Sequence, residues 1–329
     1  MQRGTIEILR VESSALRKNP LHDPDVREVP VYVPSAAGRS GARLPTIYCL
    51  AGYTGGGRSW LNFVPFGENL PERMDRLIAE GAPPALLVMP DCFTRLGGSQ
   101  YVNSPAIGNY ESHLVSELLP LVDRTFVPAD MRGLLGKSSG GYGALVLAMR
   151  HPALFHAVAC HAGDMYFEWS YKPALPKLAL AMARTGGLAA WLDSVLAKPK
   201  KSGDDLYNLS TLCACAAYLP DASWPLGIRV PFDLETGELD ETAWRRFCAH
   251  DPIELASHHA AALRSLKLLF FDAGASDEYH LQLGARVLAK RLRELHVPFE
   301  HEEFPDSHRD TAYRYDVSLP KLGRALTSP

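Results

Sequence analysis

The stretch Leu134-Leu135-Gly136-Lys137-Ser138-Ser139-Gly140-Gly141-Tyr142-Gly143 constrains this chain more than any other. It reads G-x-S-x-G, with an apolar run before it and a run of small residues after it. That spacing predicts a sharp strand-to-helix turn with a serine at its apex, a nucleophile elbow. The turn holds the serine in a strained backbone conformation, and the flanking glycines keep neighbouring chain out of its way. The hydroxyl then stands at the end of the strand. The helix that follows turns its free N–H groups toward any oxyanion formed there. With glycine and serine each at about 7% of residues, a chance G-x-S-x-G occurs in roughly one chain in ten of this length, so the flanks decide. Arg132 to Leu135 read as a short strand, and Ala144 to Arg150 as a helix buried all round.

The rest of the chain sets this elbow in an alternating β/α order. Thr5–Glu12 and Glu28–Val33 read as a hairpin-like pair of strands, with a polar Pro/Asp loop between them. Pro45–Ala51 is a continuous apolar run, as expected of a strand buried on both faces. A helix over Pro71–Glu80, a strand over Ala85–Pro90 and a helix over Glu111–Val122 follow, the last from the spacing of Leu114, Val115, Leu118, Leu119 and Val122. After the elbow come strands at Ala157–Cys160 and Lys267–Phe271, an amphipathic helix over Leu281–Leu295, a strand at Phe299–Phe304 and a terminal helix ending near Leu326. Strands alternating with helices predict an α/β fold, a mostly parallel sheet with helices on both faces.

One segment breaks the rhythm. Residues 165–262 carry helical patches at Ala174–Ala183, Leu188–Lys198, Thr242–Ala249 and Ile253–Leu263, but no clear buried strand. Lys198 to Asp205 reads as a charged, breaker-rich loop. A structureless loop of such length would be unusual, so the expectation is a helical cap-like insertion within a single domain spanning 1–329. Tyr166, Phe167, Trp169 and Tyr171 open it, either to line a pocket or to pack cap on core.

Composition narrows the classes. The chain has 329 residues, 47% hydrophobic and 22% charged, with a net charge of −3. That is ordinary globular composition, with no basic excess for nucleic acid or an anionic membrane. No apolar run approaches the length of a spanning helix. The first residues, MQRGTIEILRVES, have no apolar signal-peptide region and read as a strand. Cys49, Cys92 and Cys160 lie in or at the ends of predicted core strands, as inert buried thiols. Cys213 and Cys215 lack a second ligand pair for zinc. A reducing cytoplasm fits this usage.

A serine needs a base, and the base an orienting group. In this arrangement the chain order is serine, then acid, then histidine, at the ends of successive strands. Histidines after the elbow are 151, 156, 161, 250, 258, 259, 280, 296, 301 and 308. His308 stands out in the loop Pro305-Asp306-Ser307-His308, just past the last strand. His301 lies inside that strand, and His280 and His296 bracket a helix. For the acid, Asp277 sits in a turn after Gly274, where its carboxylate can reach the base. Asp164, after the preceding strand, competes with it. Asp272 is expected to hold the loop by capping, and Glu278 to point elsewhere. The oxyanion hole calls for two main-chain N–H groups. One is that of Ser139; the other comes from the loop Gly52-Tyr53-Thr54, with Tyr53 the candidate. Lys137-Ser138 resembles the end of a phosphate-binding loop, but the upstream glycine is missing. No cofactor or metal site is expected.

Taken together, YCLAGYTGGGRSW, VMPDCFTRLGGSQYVNS, NYESHLVSELLPLVD, LLGKSSGGYGALVLAMRHPALF, FDAGASDEYH and FPDSHRDTAYRY resemble the putative-esterase family of α/β-hydrolases. That family takes in esterase D (the S-formylglutathione hydrolases), feruloyl and acetyl-xylan esterases, enterochelin esterases and mycolyltransferases. The resemblance runs from about residue 28 to 325. It implies a cofactor-free serine esterase with nucleophile Ser138, acid Asp277, base His308 and oxyanion amides on Tyr53 and Ser139. The chain departs from S-formylglutathione hydrolases at Thr54-Gly55, where they carry a cysteine, and at Lys137-Ser138-Ser139, where their elbow usually reads H-S-M. Its insertion is also longer than theirs. A carboxylesterase on small-molecule esters is the leading expectation, with thioester, feruloyl or acetyl ester hydrolysis as alternatives. An acyltransferase and a non-catalytic binding protein are rivals of other classes. An apolar cap surface is one that could mediate a homodimer.

Overall fold

The computed structural model describes residues 3–38 and 43–328. Among the described residues there are ten strands: β1 (Thr5–Glu12), β2 (Val26–Val33), β3 (Thr46–Leu50), β4 (Leu86–Val88), β5 (Asn103–Ser104), β6 (Gly108–Asn109), β7 (Arg132–Lys137), β8 (Ala157–His161), β9 (Leu268–Gly274) and β10 (Glu300–Phe304). Eight form one sheet in the order β1-β2-β4-β3-β7-β8-β9-β10, and β5 and β6 make a small ribbon. Pairing is parallel from β4 through β10, while β2 runs antiparallel to both β1 and β4. The α/β expectation holds, and β7, the elbow strand, lies near the middle of the sheet.

Period-two alternation assigns the two faces of the central strands. Tyr48, Leu50, Leu134, Val158 and Phe271 point into one core, and Ile47, Cys49, Leu135, Ala159 and Phe270 into the other. Helices α1 (Leu70–Ala79) and α13 (Tyr315–Thr327) cover the second face. The first is covered by α2 (Tyr110–Ser112), α3 (Leu119–Phe126), α4 (Ser139–Arg150) and, farther on, α12 (Leu281–Glu294). A π-helical stretch, His113–Leu118, joins α2 to α3. Asn69 starts α1 with a reciprocal cap: its side chain accepts the Glu72 N–H at 3.0 Å, and the Glu72 carboxylate accepts the Asn69 N–H at 3.0 Å.

Between β8 and β9 the chain forms α5 (Phe167–Ser170), α6 (Leu175–Ala183), α7 (Leu188–Ala197), α8 (Gly203–Tyr218), α9 (Glu241–Cys248), α10 (Pro252–His258) and α11 (Ala260–Arg264). Among the described residues of this segment, strand pairing is limited to isolated bridges, Pro220 with Ile228 and Phe232 with Leu239. Two details differ from the sequence reading. The loop expected over 198–205 ends at Ser202, which caps α8 through the Asp205 N–H at 3.1 Å while Asp205 accepts the Ser202 N–H at 2.8 Å. The helix expected over 253–263 breaks at His259, whose φ of −113° leaves the helical range.

The aromatics that open this segment part company. Phe167 and Tyr171 join Tyr218 and Phe247 in a buried ring cluster with centroids 5.0–5.5 Å apart. Trp169 stays half exposed against His280. All six cysteines are free, and five are buried; burial pushes the Cys213 thiol up to about 12, which keeps it protonated and inert.

Two glycines of the elbow are required by close approach. A Cβ on Gly136 would lie 2.0 Å from the Gly140 carbonyl oxygen, and one on Gly140 would lie 2.1 Å from that of Leu50. Those neighbours are backbone of β3 and α4, which cannot swing aside. Gly140→Ala is therefore expected to lower unfolding free energy by about 3 kcal/mol, the upper end of overpacking costs. Urea denaturation followed by circular dichroism measures it; an unchanged midpoint would refute the packing argument.

Candidate active site

β7 and α4 meet at Ser138, whose φ of 57° and ψ of −124° lie outside the ordinary range of an L-residue. Its N–H donates to the His161 carbonyl at 2.9 Å, and its own carbonyl accepts the Tyr142 N–H at 3.0 Å. Gly52 lies directly alongside: a Cβ there would be 3.5 Å from that of Ser138. The strained serine is thus held by β8 on one side, the loop after β3 on the other and α4 above.

His308 comes from the loop after β10, and its Nδ1 is 2.7 Å from Asp277 Oδ2. Asp277 is turned inward by the bond from its N–H to the Gly274 carbonyl, and its Oδ1 accepts the Tyr279 N–H at 2.8 Å. The carboxylate is fully buried, with the imidazole only 11% exposed. The Tyr279 ring stands edge-on to the imidazole at 4.8 Å and 81°. Glu278, expected to point away, instead turns back: its carboxylate accepts the His308 N–H at 3.0 Å and fixes the loop. Adjacent residues Asp277 and Glu278 therefore grip the side chain and the main chain of the same histidine.

A pocket of about 410 Å³ opens over Ser138 and His308, and Tyr53, Ser139 and Asp164 also line it. Neither the Tyr53 nor the Ser139 main-chain N–H meets an acceptor among the described residues. The Tyr53 loop is locked from behind. The Tyr53 hydroxyl donates to the Leu96 carbonyl at 2.9 Å, the Thr54 N–H to the Gly97 carbonyl at 2.8 Å, and the Tyr101 hydroxyl to the Ala51 carbonyl at 2.5 Å. Lys137 lies on the pocket wall; burial pulls its pKa down, against Asp310, Asp277, Glu278 and Asp272, which push it up.

The three candidate carboxylates separate cleanly. Asp277 reaches His308. Asp164 does not pair with it; its Oδ2 accepts the Tyr171 hydroxyl at 2.7 Å and Gln100 Nε2 at 3.2 Å. Asp272 sits within β9 rather than capping the loop. It pairs with His161 Nδ1 at 2.7 Å and Arg314 Nε at 2.8 Å, and His161 Nε2 lies 2.8 Å from Ser318 Oγ. This second Ser–His–Asp chain is inaccessible, with Ser318 0%, His161 3% and Asp272 2% exposed. Substrate cannot reach it, so it is part of the core, linking α13 to β8 and β9.

Sequence reading missed the α8 wall of the pocket, which brings Tyr207, Ser210 and Thr211. The signal was present as the S-x-x-D capping box of Ser202 and Asp205, which marks a helix start inside the breaker-rich stretch.

With this geometry the chain can be set beside known proteins. A ferulic acid esterase superposes with a TM-score of 0.63 at 18% identity, covering 98% of this chain and 99% of that one. FphF, a fluorophosphonate-binding serine hydrolase of Staphylococcus aureus, gives 0.60 at 13%, covering 99% and 100%. An S-formylglutathione hydrolase from Agrobacterium tumefaciens gives 0.60 at 16%, covering 98% and 96%. No curated protein sequence matches the chain. The strand order and these superpositions give it the α/β-hydrolase fold. The family model described as "Putative esterase" matches residues 24–317. The chain belongs to that family and is an esterase.

The buried Asp272 pair has a consequence for stability rather than chemistry. Asp272→Asn leaves Arg314 and His161 without their shared carboxylate, which should cost about 3 kcal/mol, as breaking one side of a buried ion pair does. Equilibrium urea unfolding checks it; a shift under about 1 kcal/mol would mean that Glu302 alone satisfies Arg314.

Proposed function

We propose that this esterase works through an acyl-enzyme on Ser138, with His308 as the base, Asp277 as its orienting acid, and the Tyr53 and Ser139 N–H groups as the oxyanion hole. One observation carries the reading: His308, bonded to the buried Asp277 at 2.7 Å, faces the same pocket as a serine held at φ 57°. The Asp277 bond to Nδ1 leaves Nε2 as the nitrogen to take the serine proton.

Ser138 Oγ attacks the ester carbonyl as its proton passes to His308 Nε2, and Asp277 steadies the imidazolium without taking a proton. The carbonyl oxygen becomes an oxyanion and receives the Tyr53 and Ser139 N–H groups, each such donor being worth about 3 kcal/mol in the barrier. When the tetrahedral intermediate collapses, the C–O bond to the alcohol breaks and His308 returns the proton to the leaving oxygen. Water then repeats both steps on the acyl-serine, releasing the acid and restoring the Ser138 hydroxyl.

We read residues 1–329 as a single domain and 165–262 as a helical cap on it, a reading supported by α8, which brings Tyr207, Ser210 and Thr211 to the pocket wall. Six free cysteines support a reducing, cytoplasmic setting; among the described residues no helix is long and apolar enough to cross a membrane. Trp169, Leu180 and Leu226 stand exposed on the insertion and support a homodimer there, which light scattering on the purified chain reads directly.

Ser138→Ala should lower p-nitrophenyl acetate turnover at least about a thousandfold and abolish covalent labelling by a fluorophosphonate probe. Labelling that survives in this variant would move the nucleophile elsewhere. Asp277→Asn should keep the labelled serine but lower kcat by about ten-thousandfold, since the amide holds the wrong imidazole tautomer. Near-normal kcat in that variant would remove Asp277 from the role.

A further inference from the structure

Asp164 is a pocket carboxylate that the mechanism does not use, and it is built into place from two directions. Tyr171 from the insertion and Gln100 from the loop before β5 both bond to its Oδ2, at 2.7 and 3.2 Å. Gln100 is itself fixed, with Nε2 2.8 Å from the Tyr171 hydroxyl and 3.0 Å from that of Tyr218. It is 3% exposed and lies at φ 52°, followed by Tyr101 at φ 56°. Two successive non-glycine residues in the left-handed region are costly and persist only where the surroundings dictate them; such strain gathers at functional sites.

The arrangement leaves one oxygen open. Both donors fall on Oδ2, and Oδ1 receives none from the described residues, while Asp164 lines the same pocket as Ser138 and His308. No Lys or Arg pairs with Asp164 among the described residues. Burial raises its pKa, with the Tyr171 and Gln100 bonds and His308 opposing that rise. A partly buried carboxylate held by neutral donors alone is short of positive charge. Lys137, on the same wall, is answered by Asp310, Asp277, Glu278 and Asp272, and Arg309 by Glu278 at 3.6 Å. The wall offers little to a fatty chain, since Leu206 and Leu281 are its only aliphatic side chains among the described residues.

We propose that Asp164 is a specificity subsite that receives a protonated amine on the substrate, so that the preferred ester carries a primary ammonium a few atoms from the scissile carbonyl. The proposal rests on Ser138 being the nucleophile. Gln100 and Tyr171 are positioning residues that aim the carboxylate.

Initial rates on the ethyl esters of propionate, 3-hydroxypropionate and β-alanine, followed at neutral pH by pH-stat, test it, with p-nitrophenyl acetate and Ser138→Ala run alongside. Wild type should favour the β-alanine ester over the propionate ester by about tenfold or more in kcat/KM, mainly through KM. Asp164→Asn should erase that ratio. Wild type favouring neither ester, or favouring the hydroxypropionate ester over the ammonium one, overturns the proposal without needing the variant. So does an Asp164→Asn enzyme that loses kcat equally on all three esters with the ratio intact, which would make the carboxylate a partner of the His308 imidazolium instead. Failure of the Ser138 reading shows differently, as p-nitrophenyl acetate turnover that Ser138→Ala retains.

Discussion

The backbone of Ser138 is the constraint on which the rest of the structure turns. A serine at φ 57° and ψ −124° stores strain of about 1–3 kcal/mol that its neighbours must hold. Its N–H is tied to the His161 carbonyl in β8, and α4 begins immediately after it. Gly136 and Gly140 let β7, α4 and β3 approach closer than any side chain permits. Strand spacing, helix entry and glycine placement thus combine to leave the hydroxyl one position, at the open end of the central strand. A relaxed backbone here would need β3, β7 and α4 to separate, and β3 and β7 carry core side chains on both faces of the sheet while α4 is buried against one of them.

The second Ser–His–Asp chain shows how the core supports that position. His161, whose carbonyl anchors the Ser138 N–H, has its ring fixed between Asp272 and Ser318. Asp272 in turn holds Arg314, which also bonds to Glu302 on β10. A polar path therefore runs from α13 and β10 through β9 to His161, the residue that anchors the main chain of Ser138. Its groups are the same three side-chain types as those in the pocket, yet none is accessible. Chemistry at such a constellation is decided by exposure as much as by residue identity.

Much of this was legible in the sequence because the signals were local. The elbow is ten consecutive residues, Asp277 follows the apolar run of β9, and His308 lies in the loop just past the last strand. What stayed hidden depended on contacts distant in sequence. Asp272 and Asp277 are five residues apart, one within β9 and one in the turn after it, and only the paths of β8 and α13 bring His161 to the first, and that of β10 brings His308 to the second. Glu278 was misread because strand alternation does not govern a turn, where two adjacent side chains can serve one loop. The start of α8 was obscured by its composition: Lys198 to Asp205 is rich in breakers, while the cap that overrides them is two residues, Ser202 and Asp205.

Two carboxylates lie near one imidazole in different environments, the buried Asp277 bonded to it and the partly buried Asp164 not. Asp277 accepts a main-chain N–H on one oxygen and His308 on the other, so both oxygens are committed and its position is set by the turn after β9. Asp164 accepts a hydroxyl and an amide on a single oxygen, from side chains that belong to separate loops, and its other oxygen receives no donor from the described residues. A carboxylate saturated by protein donors orients its partner; one left half-bound at a cavity has affinity to spend on what enters it. On the reading proposed above, the first serves catalysis and the second recognition. The donors of Asp164 reach it from the insertion and from the loop before β5, whereas those of Asp277 come from its own turn and from the loop after β10. Changes in the insertion can therefore retune recognition while the bond between Asp277 and His308 stays as it is.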